Sequence, residues 1–76
     1  GYTWRQQSDR LEVLRPAGQS PRSFGVVDAL GRLVLRGTWT GDEVAVPTTF
    51  LAPGAYWFVS EGVEGEWHFG FRTELR

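Results

Sequence analysis

His68 is the only side chain in this chain of 76 residues with the natural pKa of a general base at neutral pH. Acid–base or nucleophilic work would also require a partner within hydrogen-bond reach. Ser60, Glu66 and Asp42 are of suitable type, but no recognisable nucleophile motif holds any of them. An ordinary strand histidine is the simpler account. Glu61, Glu64 and Glu66 gather around one turn and offer the oxygen ligands that calcium prefers. Their spacing matches no calcium loop, so a solvated acidic hairpin accounts for them better. With no cysteine and one histidine, the chain cannot hold a structural zinc ion. These residues assign no catalytic centre, no metal and no cofactor.

Binding chemistry has more candidates. Trp39, Trp57 and Trp67, if two of them lay exposed and coplanar, would stack on sugar rings as in carbohydrate-binding sandwiches. The competing demand is the core. A domain this small buries only about 60% of the surface its unfolded chain exposes, and without disulfides it needs its aromatics inside. Four Trp, two Tyr and five Phe can supply that core, since each ring buries roughly 150–250 Å². Core packing is therefore the expectation for the tryptophans. Arg32, Arg36, Arg72 and Arg76 suit bidentate pairing with phosphate or carboxylate groups of a partner, although most surface arginines have no such role.

Charge excludes one class of partner. Eight basic residues, all Arg, stand against nine acidic ones, with no basic patch of the kind nucleic-acid binding uses. The longest uncharged stretch, Val44 to Ser60, contains Pro47, Pro53 and Gly54 and is too short and broken to cross a bilayer as a helix. The chain begins at Gly rather than Met and carries no signal-peptide pattern, so it is expected to be a piece of a longer protein.

The elements that must position these residues read as strands. No long segment carries a helical period, and short β-rich runs are punctuated by Gly, Pro and Asp as in a sandwich or barrel. Tyr2–Arg5 reads as an edge strand, and Arg10–Arg15 as a strand with Leu11 and Val13 on one face. Pro16 to Pro21 reads as loop. Ser23–Asp28 and Arg32–Gly37 form a hairpin, with Phe24 and Val26 on one face, and with Leu33 and Leu35 alternating against Val34 and Arg36. Asp28-Ala29-Leu30-Gly31 suits a type I turn closed by a glycine at positive φ. Gly41-Asp42 turns into a strand over Glu43–Val46. Ala52-Pro53-Gly54-Ala55 suits a type II turn, because proline fixes the first central φ and glycine accepts the positive second. Ala55–Ser60 is apolar on both faces and reads as a central strand. After a turn over Glu61–Gly65, Glu66 to about Thr73 alternates, with Trp67, Phe69 and Phe71 facing one way and His68, Gly70 and Arg72 the other. The expectation is one all-β domain over residues 1–76 with six or seven strands.

The order of these turns resembles a known family. Val27-Asp28-Ala29-Leu30-Gly31-Arg32-Leu33-Val34, followed by Leu51-Ala52-Pro53-Gly54-Ala55-Tyr56-Trp57-Phe58-Val59, is similar to the C-terminal sorting domain (type A) of the type IX (Por) secretion system of Bacteroidetes-type bacteria. In that family an Asp-x-x-Gly-Arg/Lys hairpin turn precedes a Leu-x-x-Gly-x-Tyr turn and strand, and a last strand bearing basic residues follows. The match covers about residues 11–76. Asp28, Gly31 and Arg32 fall on the first turn, Leu51, Gly54 and Tyr56 on the second, and Arg72 and Arg76 where the family places terminal lysines. The chain departs from the family in lacking a Tyr-Pro-Asn-Pro segment, near whose place only Arg15-Pro16-Ala17 stands, and in a more aromatic last strand.

The resemblance implies an immunoglobulin-like antiparallel β-sandwich and no enzymatic activity. It implies passage through the periplasm, recognition by the outer-membrane export machinery, and delivery of the parent protein to the cell surface or medium. There a sortase-like protease typically removes the domain and joins the cargo to anionic lipopolysaccharide, while some members keep it. The rival expectation is a carbohydrate-binding or adhesion sandwich appended to an extracellular enzyme.

Overall fold

Residues 2–18, 22–62 and 65–74 are described by the computed structural model, and their regular structure is entirely β. The strands are β1 (Thr3–Gln6), β2 (Arg10–Leu14), β3 (Ser23–Asp28), β4 (Leu33–Thr38), β5 (Glu43–Pro47), β6 (Gly54–Gly62) and β7 (Gly65–Thr73). No helix among the described residues is long and apolar enough to cross a membrane. The part of the first loop at Gln19, Ser20 and Pro21 lies outside the described residues, as do Glu64 of the acidic turn and Arg76.

Two antiparallel sheets, β1-β2-β5 and β4-β3-β6-β7, make an immunoglobulin-like sandwich. Relative to the constant immunoglobulin order of ABED against CFG, the fourth strand has left the first sheet and joined the edge of the second. Alternation decides what lies between the sheets. Leu11 and Val13 of β2, Val46 of β5, Phe24 and Val26 of β3, Tyr56 and Phe58 of β6 and Phe71 of β7 all turn inward and are buried. Trp39, in the β4–β5 connection, is fully buried at the centre. Its ring meets Phe24 and Phe58 edge-on at centroid distances of 5.9 and 6.2 Å. Its Nε1–H donates to Ser60 Oγ at 2.9 Å, which gives the buried indole donor the partner it requires. The Arg15 guanidinium covers the same ring, 4.8 Å from its centroid, a cation–π contact screened from water by burial.

β1 and β7 are edges of different sheets, and side chains close the gap between them. Tyr2 stacks on Trp67 at 4.0 Å and Trp4 on Phe69 at 4.4 Å. At the far end of β1, the Gln6 side-chain amide donates to the Arg72 carbonyl.

Three expectations are corrected. Leu33 and Leu35 do not share a face, because the register runs Val26↔Leu35 and then Val27↔Leu33, leaving Val34 in a bulge. Leu35 points inward and Leu33 outward. The Pro53-Gly54 bend is no type II turn: Gly54 has φ 154°, far from the left-handed value near +80° that such a turn needs. Trp57 is not core. Tyr56 and Phe58 take the inward phase of β6, so Trp57 stands on the outer face, 45% exposed.

Candidate functional site

Asp28, the last residue of β3, builds the first turn around its own carboxylate. The Gly31 N–H donates to the Asp28 carbonyl at 2.9 Å, and the Asp28 N–H to the Arg32 carbonyl at 2.9 Å. Asp28 Oδ1 accepts the Leu30 and Arg32 N–H groups, each at 2.9 Å, and Oδ2 accepts Arg32 Nε at 2.8 Å. Gly31 sits at φ 81°, a conformation that glycine adopts without penalty. The Arg32 N–H, with its guanidinium and the Leu30 N–H, holds the Asp28 carboxyl below the usual carboxylate range. Arg32 is thus a clasp of the turn, although most of its side chain stays in solvent.

The second turn is a tyrosine corner. Leu51 packs against the core, Pro53 and Gly54 reverse the chain, and the buried Tyr56 reaches back so that its hydroxyl donates to the Ala52 carbonyl at 2.6 Å. The Thr73 hydroxyl donates to the same carbonyl at 2.8 Å. One oxygen therefore ties the corner both to β6 and to the end of β7.

The sheet order brings the two turns and the last strand together. β3 lies beside β6, so Asp28 faces Tyr56. β6 lies beside β7, so Gly54 faces Thr73 and Ala55 faces Arg72. The β1–β2 loop joins the same end, where the Thr48 N–H donates to the Asp9 carbonyl at 3.1 Å. Asp28, Gly31, Arg32, Leu51, Gly54, Tyr56 and Arg72 thus occupy one end of the sandwich, with Arg32 and Arg72 exposed. Leu30 and Phe50, the two most exposed large apolar side chains among the described residues, sit in loops of this end. Arg36 is not part of it; it pairs with Gly25 farther along β4.

Sequence reasoning overlooked Thr73, Gln6, Leu30 and Phe50. Thr73 carried a readable signal: it continues the inward phase of Trp67, Phe69 and Phe71, and a buried hydroxyl must find a partner. The candidate acid–base residues do not assemble. His68 stands in solvent with Glu66 3.9 Å away, Ser60 faces the core on the other side of the sheet, bonded to Trp39, and Asp42 lies beside Arg15 at 3.7 Å. No metal-binding cluster occurs among the described residues. No family model, curated protein or solved structure matches this chain.

Proposed function

We propose that this domain is a non-enzymatic sorting module that directs its parent protein through type IX secretion to the cell surface. One observation supports the reading above the others. Two turn motifs separated by some twenty residues of chain converge with the last strand on one end of the sandwich, each held there by side-chain-to-backbone bonds. A receptor that reads shape would need such a preset surface, because ordering a loose loop on binding costs affinity. The partners in this reading are the outer-membrane export machinery and, after export, a sortase or anionic lipopolysaccharide. Exposed Arg72 supplies positive charge at that end, while the Arg32 guanidinium is paired with the Asp28 carboxylate.

Fused to the C-terminus of a periplasm-directed reporter in a host with type IX secretion, the domain is expected to carry the reporter to the cell surface. Arg72→Glu combined with Arg76→Glu is expected to reduce export while leaving the melting temperature nearly unchanged, since reversing an exposed charge such as that of Arg72 alters stability little. A reporter retained in the periplasm of a host that still exports its own cargo would overturn the sorting assignment. Full export of the double variant would take the arginines out of it.

A further inference from the structure

The outer face of the four-stranded sheet is separate from the turn end. Two cross-strand rows define it. Arg36, Gly25, Val59 and His68 form one, and Leu33, Val27, Trp57 and Gly70 the other. Gly25 and Gly70 lie in different rows, two strands apart, and a large apolar side chain lies across each. Leu33 covers Gly25 so closely that a Cβ there would come within 2.8 Å of its Cδ1. The six-membered ring of Trp57 covers Gly70, 3.3–3.5 Å from where a Cβ would stand. The indole therefore rests on the sheet and turns its other side to solvent, with His68 edge-on beside it at 5.9 Å.

Next to Trp57 the face sinks into a depression of about 310 Å³. Gly25 and Val59 floor it, Leu33 and Arg36 wall one side, and Glu61 and Glu66 wall the other. Glu61 and Glu66 are directly opposed across β6 and β7. Like charges so placed destabilise a sheet, so the fold itself gains nothing from their pairing.

We infer that this face binds a neutral carbohydrate, with one pyranose ring stacked on Trp57 and the next seated in the depression. A pyranose presents an apolar C–H face, which the π-cloud of an indole attracts, and hydroxyls that both donate and accept. The depression matches both properties: an apolar floor, carboxylate acceptors on one side and a guanidinium donor on the other. Anionic ligands are disfavoured by the two carboxylates, and an apolar peptide would desolvate all three charges while offering them no hydrogen bonds in return. Its volume lies at the low end of small-molecule sites, roughly 300–1,000 Å³, which suits a single ring.

The test is a titration of the isotope-labelled chain with cellohexaose, laminarihexaose and maltohexaose, followed by amide and indole chemical shifts. At least one is expected to give saturable shifts centred on Gly25, Val59, Gly70 and the Trp57 indole. Trp57→Ala is expected to weaken that binding at least tenfold. Trp4→Ala removes the exposed ring stacked on Phe69 at the other edge and is expected to leave affinity unchanged. Glu61→Gln is expected to weaken binding while raising the melting temperature, a combination that a merely structural role would not produce. The inference is overturned if none of the three sugars binds saturably, or if binding survives Trp57→Ala undiminished. It is also overturned if the same amides shift with protein concentration alone, which would assign the face to a second copy of the chain. None of these outcomes depends on whether the domain is exported.

Discussion

At the turn end the Asp28 carboxylate takes three N–H donors and the Ala52 carbonyl two hydroxyls, whereas on the outer face Leu33 and Trp57 simply lie across glycines. The two regions share β3, β6 and β7, yet different physics holds each. The turn end is fixed by directional polar bonds, which set one shape and tolerate little displacement. The outer face is fixed by what is missing: two side chains absent from the sheet leave space that flexible neighbours fill. Substitutions should therefore be costly at the first region and cheap at the second, and that contrast can be broken experimentally.

The largest effect is expected at Gly54. Its φ of 154° belongs to a region that residues with a Cβ adopt only under strain. Gly54→Val is expected to cost on the order of 1–3 kcal/mol, a serious loss for a domain whose whole stability is about 5–15 kcal/mol. Denaturant titration measures it, and an unchanged midpoint would show that the corner relaxes without strain. Next come the two hydroxyls on the Ala52 carbonyl. Tyr56→Phe and Thr73→Val should each cost about 1 kcal/mol. The double variant should exceed their sum by about 0.5 kcal/mol or more, since either hydroxyl alone still satisfies the shared oxygen. Strict additivity would mean that the two bonds act independently and that β7 is not tied to the corner through Ala52.

These bonds mark where the sequence stopped being informative. Strand order along the chain was legible, because Leu11 and Val13, Phe24 and Val26, and Trp67, Phe69 and Phe71 alternate with polar or small residues. The bulge was not: Leu33-Val34-Leu35 is apolar throughout and fits either phase. The Asp28 turn was legible because all its donors lie within four residues. The tyrosine corner was legible only as a bend, since Pro-Gly marks a reversal whether glycine takes φ near +80° or 154°. The convergence of the two turns was out of reach altogether. It depends on β6 crossing to lie beside β3, a pairing between segments that no local pattern specifies.

On the outer face the expected costs are small. A Cβ at Gly25 would clash with the far end of Leu33, which can swing into solvent, and would meet the Leu35 carbonyl oxygen at an ordinary 3.5 Å; one at Gly70 needs Trp57 to rise by a few tenths of an ångström. Neither glycine has positive φ, and alanine lowers the entropy of the unfolded chain at both. Gly25→Ala and Gly70→Ala should therefore each change stability by no more than about 0.5 kcal/mol in either direction. A loss comparable to that at Gly54 would erase the contrast between the regions.

The smallest effect is a pH dependence confined to the turn end. Asp28 has its carboxyl held below the ordinary value of 3.8, first by the Arg32 N–H and then by the Arg32 guanidinium and the Leu30 N–H. The folded state thus keeps this group ionised at pH values where the unfolded chain has begun to protonate it. By linkage the stabilisation is complete above the unfolded pKa and drains away as pH falls through the depressed folded value. Glu12 is shifted in the same direction by Arg5 and Arg10, and so contributes a loss of the same sign. Comparing the native chain with Asp28→Asn removes that background, because Glu12 is present in both. Asparagine can still accept the Leu30 and Arg32 N–H bonds through one oxygen, but it cannot pair with the guanidinium. The native chain should therefore melt higher than the variant at neutral pH, and the gap should narrow steadily below about pH 4. A gap that stays constant down to about pH 2.5 would mean that the turn is held by its backbone bonds and Gly31 alone, with the Asp28 charge contributing nothing.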